Sequence, residues 1–207
     1  SCQVNQCAID ACFVGFSNVD GEESNGCECE IASPEDLPDD DFLDSNCDGI
    51  DGVVTDGVFV SSQGNDNNPG TIAEPVRNID AGIALAQSQG LAFVFISSGT
   101  FELNTTTLEL SDGISLYGGY DPATWQRSVT NLSILQRNGT PDGQNRVIAV
   151  RGQNLISPTT VDRLVLQTNN ATAESTSNYG FYCENCPNLT LSNTRVTAGS
   201  GSNGAAG

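Results

Sequence analysis

From residue 58 onward the apolar residues of this chain never form a long run. They come as alternating triplets such as Leu108-Glu-Leu110, Ile114-Ser-Leu116 and Leu189-Thr-Leu191, separated by Gly, Asn, Asp and Ser. Period-two alternation over three residues describes a short strand that buries two side chains on one face. A β-sandwich wants longer strands joined by tight hairpins, and the hairpin dipeptides here do not lie between paired long runs. Three triplets instead make one triangular coil of a solenoid whose coils stack through parallel strands. Strands are expected at Val58–Val60, Phe93–Ile96, Leu108–Leu110, Ile114–Tyr117, Leu132–Leu135, Val147–Val150, Leu164–Leu166, Phe181–Tyr182 and Leu189–Leu191. A spacing of 25 residues relates Leu164 to Leu189 and Leu166 to Leu191 and sets the expected coil period.

One helix interrupts this pattern. Val76, Ile79, Ile83 and Ala86 recur at helical spacing, Asn78 stands where a cap belongs and Gly90 where a helix stops. Such a helix over residues 78–89 would cover the first coil's core and edge. The expected fold is therefore all-β, a right-handed parallel β-helix with an N-terminal capping helix, preceded by a small disulfide-rich, calcium-binding segment.

The preceding segment is built differently. Of eight cysteines, Cys2, Cys7, Cys12, Cys27, Cys29 and Cys47 crowd into the first 47 residues, and Cys183 and Cys186 stand apart. An even count with no His favours disulfides in an oxidising compartment over a zinc site. Cys183 is expected to pair with Cys186 and the other six among themselves. Residues 1–32 read as a Cys-stapled module too short to hold a core unaided. Residues 33–56 read as an acidic linker, and residues 57–207 as the β-helix, continuing past the last residue.

The acidic linker carries the clearest chemistry. In Asp44-x-Asn46-x-Asp48-Gly49-Ile50 three oxygen side chains alternate, a Gly permits a sharp turn, and the Ile50 carbonyl can extend the arc around a hard cation. This is the first half of an EF-hand-type loop, with Thr55 where the bidentate Glu would stand. Asp51, or Asp39 and Asp41, must then close the shell. Calcium is the expected cofactor, because it accepts a flexible, all-protein oxygen cage.

Composition narrows the function. A net charge of −19 with Arg as the sole basic residue type makes nucleic acid and anionic membranes poor partners. No run approaches the roughly 18 apolar residues that cross a bilayer. The absence of Met implies that a leader was removed, so a secreted, extracellular or cell-surface location is expected. Tyr117-Gly-Gly-Tyr120 with Trp125 forms a candidate sugar-stacking platform.

Three stretches carry a resemblance. Val58-Phe59-Val60 with Gly64-Asn-Asp66-Asn-Asn-Pro69-Gly70-Thr71, then Ser98-Gly99-Thr100-Phe101, then Gly113-Ile-Ser-Leu-Tyr117-Gly118-Gly119-Tyr120-Asp121 resembles secreted pectate-lyase-like β-helix proteins of myxobacterial type. The Asp44-to-Gly52 stretch is similar to the metal-binding motif that often precedes them, and Cys12 to Glu28 to their Cys-rich repeat. The fold hosts both enzymes and inert scaffolds, so the resemblance implies little about activity. By likeness to polysaccharide lyases, Arg137 and Arg163, placed to stack on neighbouring coils near Asp142 or Asp162, are the candidates for proton abstraction. No acidic group recurs at the coil period to hold a catalytic metal on the β-helix, and a chain without His lacks the commonest acid–base group. The sequence thus favours a calcium-stabilised structural or adhesive protein that self-associates through an open C-terminal end, with the Ala/Gly-rich tail from Ala198 as strand donor. The alternative is a carbohydrate-binding or lyase-like protein that recognises a glycan or cell surface.

Overall fold

The structure, a computed structural model, describes residues 11–204 together with the backbone of Cys2, Gln3, Gln6 and Cys7. The chain separates into two compact units. One comprises Ser1–Thr55 with Trp125–Arg127, the other Asp56–Thr124 with Ser128–Gly207.

The first unit has little regular structure. Strand β1 (Cys2–Gln3) pairs antiparallel with β2 (Gln6–Cys7), and β3 (Phe16–Ser17) with β4 (Cys29–Glu30). Cys12 is bonded to Cys27 and Cys29 to Cys47, the latter crossing the division expected near residue 32. The side chains of Cys2 and Cys7 lie outside the described residues. Side chains replace the missing ladders. Asp36 Oδ2 accepts the Gly52 N–H at 3.0 Å, and Glu28 Oε1 accepts those of Val19 and Asp20 at 2.7 and 3.2 Å. Such local bonds satisfy backbone donors where no sheet or helix can.

The second unit is mostly β and parallel. It begins with β5 (Gly57–Val60) and α1 (Ile79–Gln89), followed by β6 (Phe93–Ser97), β7 (Gly99–Asn104) and β8 (Leu108–Glu109). Then come β9 (Ser115–Tyr120), β10 (Ser133–Arg137), β11 (Arg146–Gln153), β12 (Thr159–Asp162), β13 (Leu164–Thr168), β14 (Ser177–Glu184), β15 (Leu189–Ser192) and β16 (Arg195–Thr197). Three sheets collect them in the orders β5-β6-β9-β12-β15, β7-β10-β13-β16 and β8-β11-β14. Every pairing in them is parallel. The chain thus visits the three sheets in rotation from β6 onward, which is solenoid-like.

Register corrects the expected period. Leu135 lies beside Leu166, 31 positions on, and Leu166 beside Val196, 30 positions on. Leu189 and Leu191 lie beside Thr159 and Val161, not beside Leu164 and Leu166. Leu164 and Leu189 belong to different sheets, and their matching triplets carry no mark of which sheet they join. The spacing of 25 therefore links two different sheets and passes over the third, which holds β14.

Single residues in the left-handed region turn several corners. Arg163 (φ 54°) separates β12 from β13, and Asn154 (φ 54°) and Asn185 (φ 56°) follow β11 and β14. Asn adopts this region more readily than most residues. Asn185 Nδ2 donates to Asn154 Oδ1 at 2.8 Å, tying the two corners together.

Aliphatic side chains fill the interior between the sheets. Val58, Val60, Val94, Ile96, Leu116, Leu135, Ala149, Val150, Val161, Leu164 and Leu166 form one buried cluster, which α1 joins through Ile79, Ile83 and Ala86. Gly82 lets the helix approach closely, since a Cβ there would lie 2.5 Å from Val60 Cγ2. Gly90 ends α1 in the left-handed region (φ 70°). Asn78 occupies the N-cap position but makes no capping bond with its side chain. Its Nδ2 donates to Asp66 Oδ2 at 2.6 Å instead. No helix among the described residues is long and apolar enough to cross a membrane.

Candidate functional site

The acidic segment folds into nested side-chain-to-backbone turns. Asp44 Oδ1 and Asn46 Oδ1 both accept the Asp48 N–H, at 3.0 and 2.9 Å, so these two oxygens converge on one point. Asp44 Oδ2 accepts the Gly49 N–H at 2.8 Å. Asp48 Oδ2 takes Asn46 Nδ2 at 3.0 Å and the Val54 N–H at 2.8 Å. Asp48 Oδ2 is fully engaged by these two bonds, whereas both Asp44 oxygens, Asn46 Oδ1 and Asp48 Oδ1 each keep a further lone pair, so Asp44, Asn46 and Asp48 offer the hard-oxygen chemistry that suits calcium. Gly49 takes φ 104°, which a residue with a Cβ rarely adopts, and so permits the sharp turn.

The remaining expected ligands are placed otherwise. Asp39 Oδ1 accepts the N–H groups of Asp41 and Phe42 at 2.8 and 3.0 Å, making a separate turn. Ile50 is buried. Asp51 is buried too, and its two oxygens receive the Asp39 N–H at 3.1 Å and Arg127 Nη1 at 3.1 Å. Burial pushes the Asp51 carboxyl up to about 6 despite the attraction of Arg127. Asp51 therefore serves as the anchor of a buried ion pair, a role invisible in sequence because Arg127 comes 76 residues later. Arg127 Nη1 also donates to the Asp39 carbonyl at 3.2 Å, and Gln126 Nε2 to the Gly49 carbonyl at 2.8 Å. Among the described residues, no three or more Asp, Glu, Cys or His side chains are gathered as a metal-binding group.

Two other expectations are corrected. Tyr117, Tyr120 and Trp125 are 8 %, 0 % and 3 % exposed, so none offers a flat face to a sugar. Tyr117 packs edge-on against Phe93 and Tyr120 packs on Phe95, because the parallel β6–β9 ladder, with its register shift between Phe95 and Ser97, brings these aromatic rings side by side. Arg137 and Arg163 do not stack. Ser133 pairs with Leu164 and Arg137 with Thr168, which puts the two arginines at opposite ends of the β10–β13 ladder.

Arg137 is 1 % exposed and pins the turn after β10. Its Nη1 donates to the Asn104 and Asn138 carbonyls at 2.7 and 3.0 Å, and its Nη2 to the Thr140 carbonyl at 2.8 Å. Asp142 pairs with Arg146 and Asp162 accepts from Asn193 Nδ2 at 2.9 Å. Cys183 is bonded to Cys186, at the end of β14.

A feature that sequence reading missed lies in the second unit. A polar groove of about 650 Å³ runs along β7 and is lined by Ser62, Asn65, Asp66, Arg77, Thr100 and Glu102 among others. Asp66 holds its wall, accepting the N–H groups of Arg77 and Asn78 at 2.9 and 2.8 Å as well as Asn78 Nδ2. The dense turn signal at Asn65–Gly70 announced a turn, but nothing local announced the strand facing it 35 residues later. Comparison with protein-family models, curated proteins and solved structures finds no match to this chain.

Proposed function

We propose that the chain is an extracellular structural or adhesive protein of pectate-lyase-like architecture, in which a right-handed parallel β-helix is capped by α1 and preceded by a segment braced by disulfides and calcium. The observation that carries this reading is where the polar side chains of the β-helix are spent. Glu109 pairs with Arg151, Gln136 with Gln167 and Asn154 with Asn185, each joining one coil to the next. The interior is filled with aliphatic side chains, and the two arginines proposed for proton abstraction stand apart, one buried in a turn. Surface ladders that bind coil to coil serve rigidity, as an adhesive or structural body requires.

Calcium would be held by Asp44, Asn46 and Asp48 and would neutralise carboxylates that otherwise repel one another. Terbium luminescence, with calcium as competitor, tests this on the intact chain. Saturable binding lost in Asp44→Asn/Asp48→Asn supports the brace; equal binding by that double variant contradicts it. Self-association would use the open β15–β16 edge. The tail itself is engaged as far as Asn203: the Gly199 and Ser200 N–H groups donate to Thr168 Oγ1 and Asn170 Oδ1, and the Ser175 N–H to the Asn203 carbonyl. Light scattering at high concentration with calcium is expected to show assembly, and a strictly monomeric chain contradicts that part of the reading.

A further inference from the structure

The groove along β7 faces an unpaired strand edge. β7 is the last strand of its sheet, with β10 on its other side. The Gly99 N–H donates to the Leu132 carbonyl at 2.9 Å, which fixes the alternation. Gly99 and Phe101 turn their backbone groups toward β10, while Thr100 and Glu102 turn theirs the other way, into the groove. The Glu102 carbonyl receives Asn104 Nδ2 at 3.3 Å; the Thr100 and Glu102 N–H groups have no partner among the described residues.

The side chains around this edge are open to a ligand, with the Arg77 guanidinium also drawing the neighbouring Asp66 carboxyl down. The Ser62 hydroxyl, Arg77 guanidinium, Thr100 hydroxyl and Glu102 carboxylate all line the groove and bond to no other described residue. Arg77 and Glu102, of opposite charge, do not pair with each other. Ser62 closes one end against Gly99, where a Cβ would sit 3.0 Å from its Oγ. At the other end the groove continues into a recess of about 200 Å³ lined by Leu103, Asn104 and Leu108. Exposed edges are normally short, covered, or guarded by Pro or Lys. β7 spans six residues and has neither Pro nor Lys; Glu102 is its one charged side chain, and the ladder stays in register from Gly99 to Glu102 before shifting at Asn104.

We infer that this groove is a strand-addition site, which takes an extended peptide segment of a partner protein against Thr100 and Glu102. A segment of about six residues matches the length of β7 at roughly 3.3 Å per residue. Its main chain pairs with the two open residues, a carboxylate side chain meets Arg77, and a basic side chain meets Glu102. The net charge of −19 attracts segments that are basic overall. Alternating donors and acceptors along an edge match another main chain better than a sugar, and the one aromatic ring here, Phe101, is buried. The site lies wholly within the second unit, and its chemistry does not draw on the proposed calcium brace.

The test pans a phage-displayed linear hexapeptide library against the intact chain and against Glu102→Pro, which removes one groove-facing N–H while leaving the β10 side of the ladder intact. Expected are peptides enriched on the wild type that bind Glu102→Pro at least tenfold more weakly. Glu102→Gln should keep main-chain pairing and lose only the preference for a basic residue. Amide exchange of Thr100 and Glu102 should slow when such a peptide is bound. Thr100→Trp, which fills the groove from an exposed position, should also abolish binding and serves if Glu102→Pro misfolds. The inference is overturned if no hexapeptide is enriched, if Glu102→Pro or Thr100→Trp binds equally well, or if cellotetraose but no peptide perturbs the β7 amides.

Discussion

Residues 11–55 leave Phe13, Val14, Leu37 and Leu43 in solvent and bury only Ile50 among their large aliphatics, whereas residues 58–166 hold a continuous aliphatic cluster inside three parallel sheets. The first unit satisfies its backbone through Asp, Asn and Glu side chains and closes its loops with disulfides. The second does so through ladders and needs one cross-link, across three residues. Two kinds of stability thus sit on one chain. One belongs to covalent bonds and to side-chain hydrogen bonds and ion pairs, and responds to reductant and pH; the other belongs to burial and responds to side-chain volume.

Reduction should separate them most sharply. Cys12–Cys27 and Cys29–Cys47 close loops with sequence separations of 15 and 18. Each is worth about 3 kcal/mol by loop closure, which a unit with so little core cannot replace. With reductant present, proteolysis is expected to cut within residues 11–55 while the β circular-dichroism signal of the second unit persists. Loss of that signal at the same reductant concentration would dissolve the distinction.

The reverse experiment empties the core. Leu166 is fully buried between Leu135 and Val196 in the stacked register. Leu166→Ala should cost about 2–5 kcal/mol and lower the melting temperature of the second unit. Cleavage of residues 11–55 should be unaffected.

These two experiments follow a division that sequence made legible only in part. The triplets showed short strands on a period of two, and the helix from Ile79 with its stop at Gly90 was readable because periodicity and a left-handed glycine agree. The coil period was not. It depends on which sheet each triplet joins, and the loops from β6 onward range from the single residue Arg163 to residues 121–132 between β9 and β10. In the acidic segment the Asp44–Asn46–Asp48 turn was legible from spacing alone, since its bonds span two to five residues. The fate of Asp51 was not, because its partner Arg127 is distant in sequence. Tyr117 and Tyr120 read as a surface platform because aromatic rings suit a sugar's flat face; the whole stretch is instead the buried strand β9.

A change of pH should produce a smaller effect. Burial raises the Asp36 and Asp51 carboxyls, Asp51 to about 6. A carboxyl whose folded pKa lies above its unfolded value contributes stability that is complete at low pH and is lost as pH rises through the folded value. With chelator present, the first unit should therefore weaken between pH 4 and 7, by about 2 kcal/mol for Asp51. In the second unit, the Ser157 N–H holds Asp112 below its ordinary value and the Thr124 N–H does the same for Asp121. Their contribution runs oppositely, present at neutral pH and lost as pH falls below the ordinary carboxylate range. Melting of each unit from pH 3 to 8 checks both signs.

The smallest effect belongs to the surface ladder. Arg151 and Glu109 pair at 2.6 Å, with the Glu109 side chain half exposed. Glu109→Gln should cost less than about 1 kcal/mol and vanish at high salt. A larger loss would mean that strand-to-strand ion pairs rival the core in holding the second unit.

Hydrogen exchange of the intact, oxidised chain with calcium and then with EDTA reads both units at once. The proposed calcium brace predicts that amides of residues 36–56, including those of Asp48 and Gly49, exchange at least tenfold faster without calcium, while β10, β11 and β13 keep their protection. Unchanged exchange across residues 36–56 would contradict the brace, and equal loss of protection in the two regions would contradict the independence of the second unit.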